Sequence, residues 1–138
     1  MEKIHALMHR LHNPDLSKLF LRVALGVVFI NAGWLKIQNS EMVIQGFSSI
    51  GIPSFFAHLV TYVEFLGGIA MILGVLVPYV GILFAIVMAV ATIKVHLPNG
   101  FSLANGGYEY TLVLFLMSLS VVMLGAGKYS LASLIKRK

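Results

Sequence analysis

Cysteine is absent from this chain of 138 residues. It therefore cannot build a disulfide framework, a CxxC redox pair, a thiolate zinc site, an iron–sulfur cluster or a c-type haem attachment. Charge is scarce as well. Asp, Glu, Lys and Arg together make up 11% of the residues, against roughly a quarter in ordinary globular chains. Hydrophobic residues make up 59%, and mean hydropathy is +0.92. A soluble domain this small buries too little of its surface to hide that apolar excess. The composition demands lipid as solvent.

Four apolar stretches are present, none with the period-two alternation of a membrane β-barrel; Ile82-Leu83-Phe84-Ala85-Ile86-Val87-Met88 is apolar on every side. The first runs from about Leu16 to Leu35. From Ala57 to Ile93 the only formal charge is Glu64. As a single helix that stretch would be about 55 Å long, far beyond a hydrocarbon core of about 30 Å. It must fold back on itself, and Val77-Pro78-Tyr79-Val80-Gly81 is the turn signal. The last stretch runs from about Tyr108 to Gly125. These features predict an all-α integral membrane four-helix bundle, up-down-up-down, with spans at about 16–36, 56–77, 79–96 and 108–125 inside a domain of residues 16–127.

Ahead of the first span, Ile4, Leu7, Met8 and Leu11 recur at helical spacing beside Lys3, His5, His9, Arg10 and His12. Residues 1–15 are thus expected to form a short amphipathic helix on a membrane surface, with Asn13-Pro14 as N-cap and first position of the span. The three histidines lack a fourth ligand and read as a solvated face. No metal is expected. Residues 128–138 form a basic tail. Lys3, Arg10, Lys18, Arg22, Lys128, Lys136, Arg137 and Lys138 are eight of the ten Lys and Arg, and an even number of spans gathers them at one face. That face is expected to be cytoplasmic. The net charge of +5 then reports topology and attraction to anionic headgroups, and nucleic acid is not expected. Arg22, close to that face, is expected to snorkel.

Four ionisable residues have no such excuse, and an ionisable group inside a span is by default a candidate functional site. Lys36 and Lys94 close the first and third spans at the outer side, and Glu109 opens the fourth there. Glu64 lies roughly 15 Å along the second helix from Ser54. The topology gathers two charges of each sign in the outer half of the bundle. Glu64 shares its face with Gly67, Gly68, Met71 and Gly74, and Lys36 shares one with Arg22, Gly26, Phe29 and Gly33, so small residues that permit close packing lie beside the charges. Two readings stand open. Glu64 with Lys94 or Lys36 is a buried pair that fixes helix register. Alternatively Lys36, Glu64, Lys94, His96, Glu109, Trp34 and Tyr108 line a polar-headed pocket, with His58, Tyr62 and Tyr110 nearby. A quinone suits such a pocket, because its carbonyls need donors and its tail needs lipid. A plain aromatic belt also accounts for Trp34 and the tyrosines, and a haem pair from His58 and His96 is disfavoured. The run Lys36…Gly46-Phe47…Glu64 is loosely repeated in Lys94…Gly100-Phe101…Glu109.

The chain also resembles the DoxX family of small bacterial membrane proteins. The matching pieces are Leu21-Arg22…Gly26 with Asn31-Ala32-Gly33-Trp34-Leu35-Lys36, Gly46-Phe47 with Gly51-Ile52-Pro53, and Glu64-Phe65-Leu66-Gly67-Gly68 with Leu73-Gly74. His96 with Asn99-Gly100-Phe101, then Gly106-Gly107-Tyr108-Glu109-Tyr110, then Gly125-Ala126-Gly127-Lys128-Tyr129-Ser130-Leu131 complete the set. The resemblance covers about residues 17–131. It departs from the family pattern at Val77-Pro78-Tyr79, where Thr-Arg is frequent, and at Ala126 and Ala132, which stand for Pro and Asp. The resemblance implies a four-helix inner-membrane protein and a link to quinone-coupled oxidoreductases, oxidative-stress complexes or quinone resistance. On that reading the chain is a subunit or accessory factor of quinone-linked redox chemistry, with a quinone and a redox protein as partners beside the lipid bilayer and no intrinsic cofactor. An assembly or interaction protein with a structural charge cluster, or a small permease working as a homo-oligomer, remain the alternatives. No catalytic residue is named, and whether the chain is an enzyme stays open.

Overall fold

The computed structural model describes residues 1–136; Arg137 and Lys138 of the basic tail lie outside the described residues. Helix α1 (Glu2–Leu11) is exposed along its whole length. It ends two residues before Asn13, whose Oδ1 accepts the Leu16 N–H at 3.0 Å and starts α2 (Pro14–Gln38), with Pro14 in the first turn. A shorter helix, α3 (Ser40–Ser49), follows almost at once. Then come α4 (Ser54–Leu73) and α5 (Val77–Ala91). α5 runs on through a wide π turn (Thr92–His96) and a tight 3-10 turn (Leu97–Asn99). Helix α6 (Glu109–Leu124) and the short α7 (Leu131–Lys136) complete the chain.

α2, α4 and the α5 segment through Asn99 are each long and apolar enough to cross a membrane. α6 is the short one: its 16 residues reach about 24 Å. The sequence places the second reversal at Val77–Gly81, but the structure turns earlier. Gly74, at φ 79°, ends α4 in the left-handed region, and Pro78 sits in the first turn of α5, where its missing N–H costs nothing.

α2 packs on α4, α4 on α5, α5 on α6, and α6 returns to α2, which closes a four-helix ring. Its centre holds Leu25, Phe29, Met71, Val80, Phe84, Met88, Leu114 and Val121. Phe29 and Phe84 stack face to face across it, with centroids 3.8 Å apart. The polarity is that of a protein dissolved in lipid. Arg22, Thr61, Glu64, Thr111 and Ser118 are buried, while Phe20, Leu66, Ile86 and Met123 face outward. Without a hydrophobic drive between helices in lipid, close packing has to hold them. The α2–α4 crossing supplies it. A Cβ on Gly26 would stand 2.7 Å from the Gly68 carbonyl oxygen, and one on Gly33 would stand 2.6 Å from the Phe65 backbone nitrogen.

At the end carrying both termini, Arg22 does not snorkel. It is fully buried, because the last turn of α4 leaves carbonyls that lipid cannot satisfy. Its Nη1 donates to Met71 O at 3.1 Å and Ile72 O at 3.0 Å, and its Nη2 to Tyr129 O. A cation at a helix C-terminus also meets the favourable end of the dipole. The segment after α6 is drawn in beside it. Asp15 accepts the Lys128 N–H at 3.0 Å, and the Ala132 N–H reaches Gly74 O at 3.3 Å.

Candidate functional site

The far end of the bundle holds the charge that the membrane should have excluded. Glu64 lies about two and a half turns into α4, on the face turned to α2, and is 2% exposed. Its Oε2 accepts a hydrogen bond from Lys36 Nζ at 2.7 Å. At the crossing, Gly33 lies one turn before Lys36 on α2 and Phe65 directly follows Glu64 on α4, so backbone contact brings the two side chains within reach. Lys36 is 27% exposed, and an ammonium carries three N–H donors. One points at Glu64, which leaves two for another acceptor.

The other expected members are arranged differently. Of the four ionisable residues, the structure pairs Lys36 with Glu64; Lys94 and Glu109 make no ion pair among the described residues. Lys94 sits exposed on the π turn that ends α5. Glu109 opens α6, with its backbone N–H donated to Phe101 O at 2.9 Å. His96 Nδ1 lies 2.8 Å from Gly106 O, and the Asn99 amide donates to the same oxygen at 3.1 Å. His96 thereby pins the loop between α5 and α6. Tyr108 stands at the N-cap of α6 with its ring edge-on to Phe101. Trp34 is half exposed and tilted against Phe65, 6.1 Å between centroids. Thr92 and Thr111 share a hydrogen bond of 2.8 Å that ties the end of α5 to α6.

Beside the ion pair lies a cavity of about 160 Å³ between α3, α4 and the end of α2. Ile37, Val43, Ile44 and Ala57 make its apolar walls, and Ser40, His58, Thr61 and Tyr62 its polar ones. Thr61 is one turn before Glu64 on the same face of α4, and Ile37 follows Lys36. Cavity and pair are neighbours on the same two helices. The wall contributed by α3 has no counterpart in the sequence reading, which leaves residues 37–55 between spans. The signal was there in Val43, Ile44 and Phe47, apolar at i, i+1 and i+4, but ten residues with no strong cap is a faint one.

Residues 17–97, more than half of the chain, match the sequence profile of the DoxX family. A Bacillus subtilis (strain 168) protein named "Putative oxidoreductase CatD" is 38% identical over 100 residues, covering 72% of this chain and 74% of that one. The Escherichia coli (strain K12) "Inner membrane protein YqjF" is 37% identical over 62 residues, 45% of this chain and 48% of that one. A Haemophilus influenzae protein is 30% identical over 80 residues, 58% of this chain and 53% of that one. The match thus spans about half the length of the latter two. No solved structure matches the chain significantly.

Proposed function

The chain belongs to the DoxX family, and from that premise we propose that it is a bacterial inner-membrane subunit or accessory factor of quinone-linked oxidoreductase chemistry. One observation carries the reading: a carboxylate 2% exposed, inside a membrane bundle, held by a lysine with donors to spare. Burying charge costs free energy that a pair only partly regains, so a site that keeps one has a use for it. Lys36 offers N–H groups to a carbonyl oxygen at the level where a lipid-soluble headgroup meets the interface. The name of the Bacillus subtilis relative supports the redox setting, and that of the Escherichia coli relative supports the inner membrane. A chain without cysteine has no thiolate for an iron–sulfur cluster, so electrons reach a bound quinone through a partner protein.

The experiment is titration of the purified protein in nanodiscs with a short-chain quinone, for wild type, Glu64→Gln and the double variant Lys36→Met with Glu64→Gln. The expected result is saturable binding to wild type and binding about tenfold weaker in Glu64→Gln, with the unfolding midpoint held. Absence of saturable binding to wild type overturns the reading. So does a Glu64→Gln variant that loses stability and regains it, with full binding, in the double variant. That outcome makes the pair a register device in an assembly protein.

Both termini face the cytoplasm in this proposal, because the basic residues gather there, and α1 lies on that leaflet. On a helical wheel Ile4, Leu7, Met8 and Leu11 share one side, flanked by Lys3 and Arg10 on one edge and His5 and His12 on the other. The cysteine-free chain lends itself to single-site labelling. Spin labels at Leu7→Cys and His9→Cys in anionic liposomes should differ, the first accessible to oxygen from the lipid and the second to a water-soluble quencher. Equal exposure of both to water would place α1 off the membrane.

A further inference from the structure

We infer that the cavity between α3 and α4 is the seat of a single neutral six-membered ring, the headgroup of a quinone that enters from the lipid. The inference rests on the quinone reading above and names the place where the ring sits. Size is the first argument. The cavity measures about 160 Å³, and an apolar cavity of about 150 Å³ accepts benzene. A single ring fits that volume.

The lining is the second argument. The residues around the cavity carry no carboxylate, lysine or arginine, so a charged ligand would lose its hydration without a partner. Ile37, Val43, Ile44 and Ala57 offer apolar contact to the faces of a ring. Ser40, His58 and Tyr62 each bring a side-chain hydrogen-bonding group with no partner among the described residues, whereas the Thr61 hydroxyl is already used on Ala57 O at 2.7 Å. Hydroxyl and imidazole N–H groups suit the carbonyl oxygens of a quinone. Position is the third argument. The cavity lies where α2 ends and α4 begins, at the interface level of the bundle, with exposed Tyr62 and His58 at its mouth. A headgroup seated there leaves its tail in the bilayer, and Lys36, which precedes Ile37 of the lining on α2, keeps its spare N–H groups beside the ring, with Glu64 one turn past Thr61 on α4.

The closing experiment is photolabelling of the whole protein in nanodiscs with an azido-quinone, competed by excess unlabelled quinone and mapped by peptide mass. Three variants accompany wild type. Val43→Trp fills the cavity from α3, outside the bundle core. Tyr62→Phe removes one donor. Val113→Trp adds the same bulk on the lipid-facing side of α6, and its unfolding midpoint and labelling serve as the reference. The expected result is competed label on peptides within residues 37–62, about tenfold less label in Val43→Trp and several-fold less in Tyr62→Phe, with Val113→Trp equal to wild type. Competed label elsewhere, undiminished in Val43→Trp, overturns the cavity assignment and leaves the quinone reading standing. If no label is competed by unlabelled quinone in wild type, both fall.

Discussion

Arg22→Leu is expected to lose about 3 kcal/mol or more of stability and to free the C-terminal segment. The Ile72 and Tyr129 carbonyls lose their donor together, and Met71 O, which also accepts the Gly74 N–H at 3.3 Å, loses one of its two. Each buried polar group left without a partner costs about 1–3 kcal/mol, and lipid offers no water to replace the bond. Two terms oppose this loss. Removing the guanidinium also removes its desolvation cost, and its Nε is buried without a partner in the folded state. Two stranded carbonyls and a third left with a single bond outweigh one relieved N–H and part of a solvation penalty, so the net is destabilising. Arg22→Lys keeps the charge but not the planar fork, and should recover only part. Thermal unfolding in mild detergent reads the stability, and tryptic cleavage after Lys128 reads the release. An Arg22→Leu protein with an unchanged midpoint and a protected Lys128 would sink the account.

Gly33→Leu carries the second large effect, at the other end of the same crossing. A Cβ there stands 2.6 Å from the Phe65 backbone nitrogen and 2.8 Å from its Cα. A flexible side chain could swing aside, but helix backbone cannot. α2 and α4 must separate, at about 1–3 kcal/mol or more for overpacking, and the Lys36–Glu64 pair one turn on must stretch or break. Val27→Leu, on the lipid-facing side of α2, is the control and should stay within about 0.5 kcal/mol of wild type. On the proposed quinone reading, Gly33→Leu should also lower quinone binding, because it disturbs the pair without touching it. Equal midpoints for Gly33→Leu and Val27→Leu would show that the crossing has slack.

The bundle was readable in the sequence because its signals are long and repeated. Spans of apolar residues, Asn13-Pro14 at a helix start and small residues beside Glu64 each leave a periodic or positional trace. The partner of Glu64 was legible only as a choice between Lys36 and Lys94. That choice depends on which helix crosses α4 most closely, and Gly33 settles it by letting α2 approach to backbone contact. Arg22 misled for a related reason. Its depth along α2 permits snorkelling, and what holds it inward is a set of carbonyls remote in sequence. The cavity stayed hidden because half its wall is α3, a helix too short to announce itself. Lys94 and Glu109 have the right residue types at the right level, yet the π turn and the loop after it place them in other company.

The Arg22 bond to Tyr129 joins residues 107 apart in the chain. At synthesis rates of about 5–20 residues per second, roughly 5–20 s pass between the emergence of one and the other. Through that interval the first span is in the bilayer while the last carbonyl its guanidinium will meet has yet to be made. The full set of acceptors around the arginine exists only once α4 and the C-terminal segment have been made. Its burial therefore marks completion: only a chain made through Tyr129 holds every carbonyl that the guanidinium meets in the folded bundle.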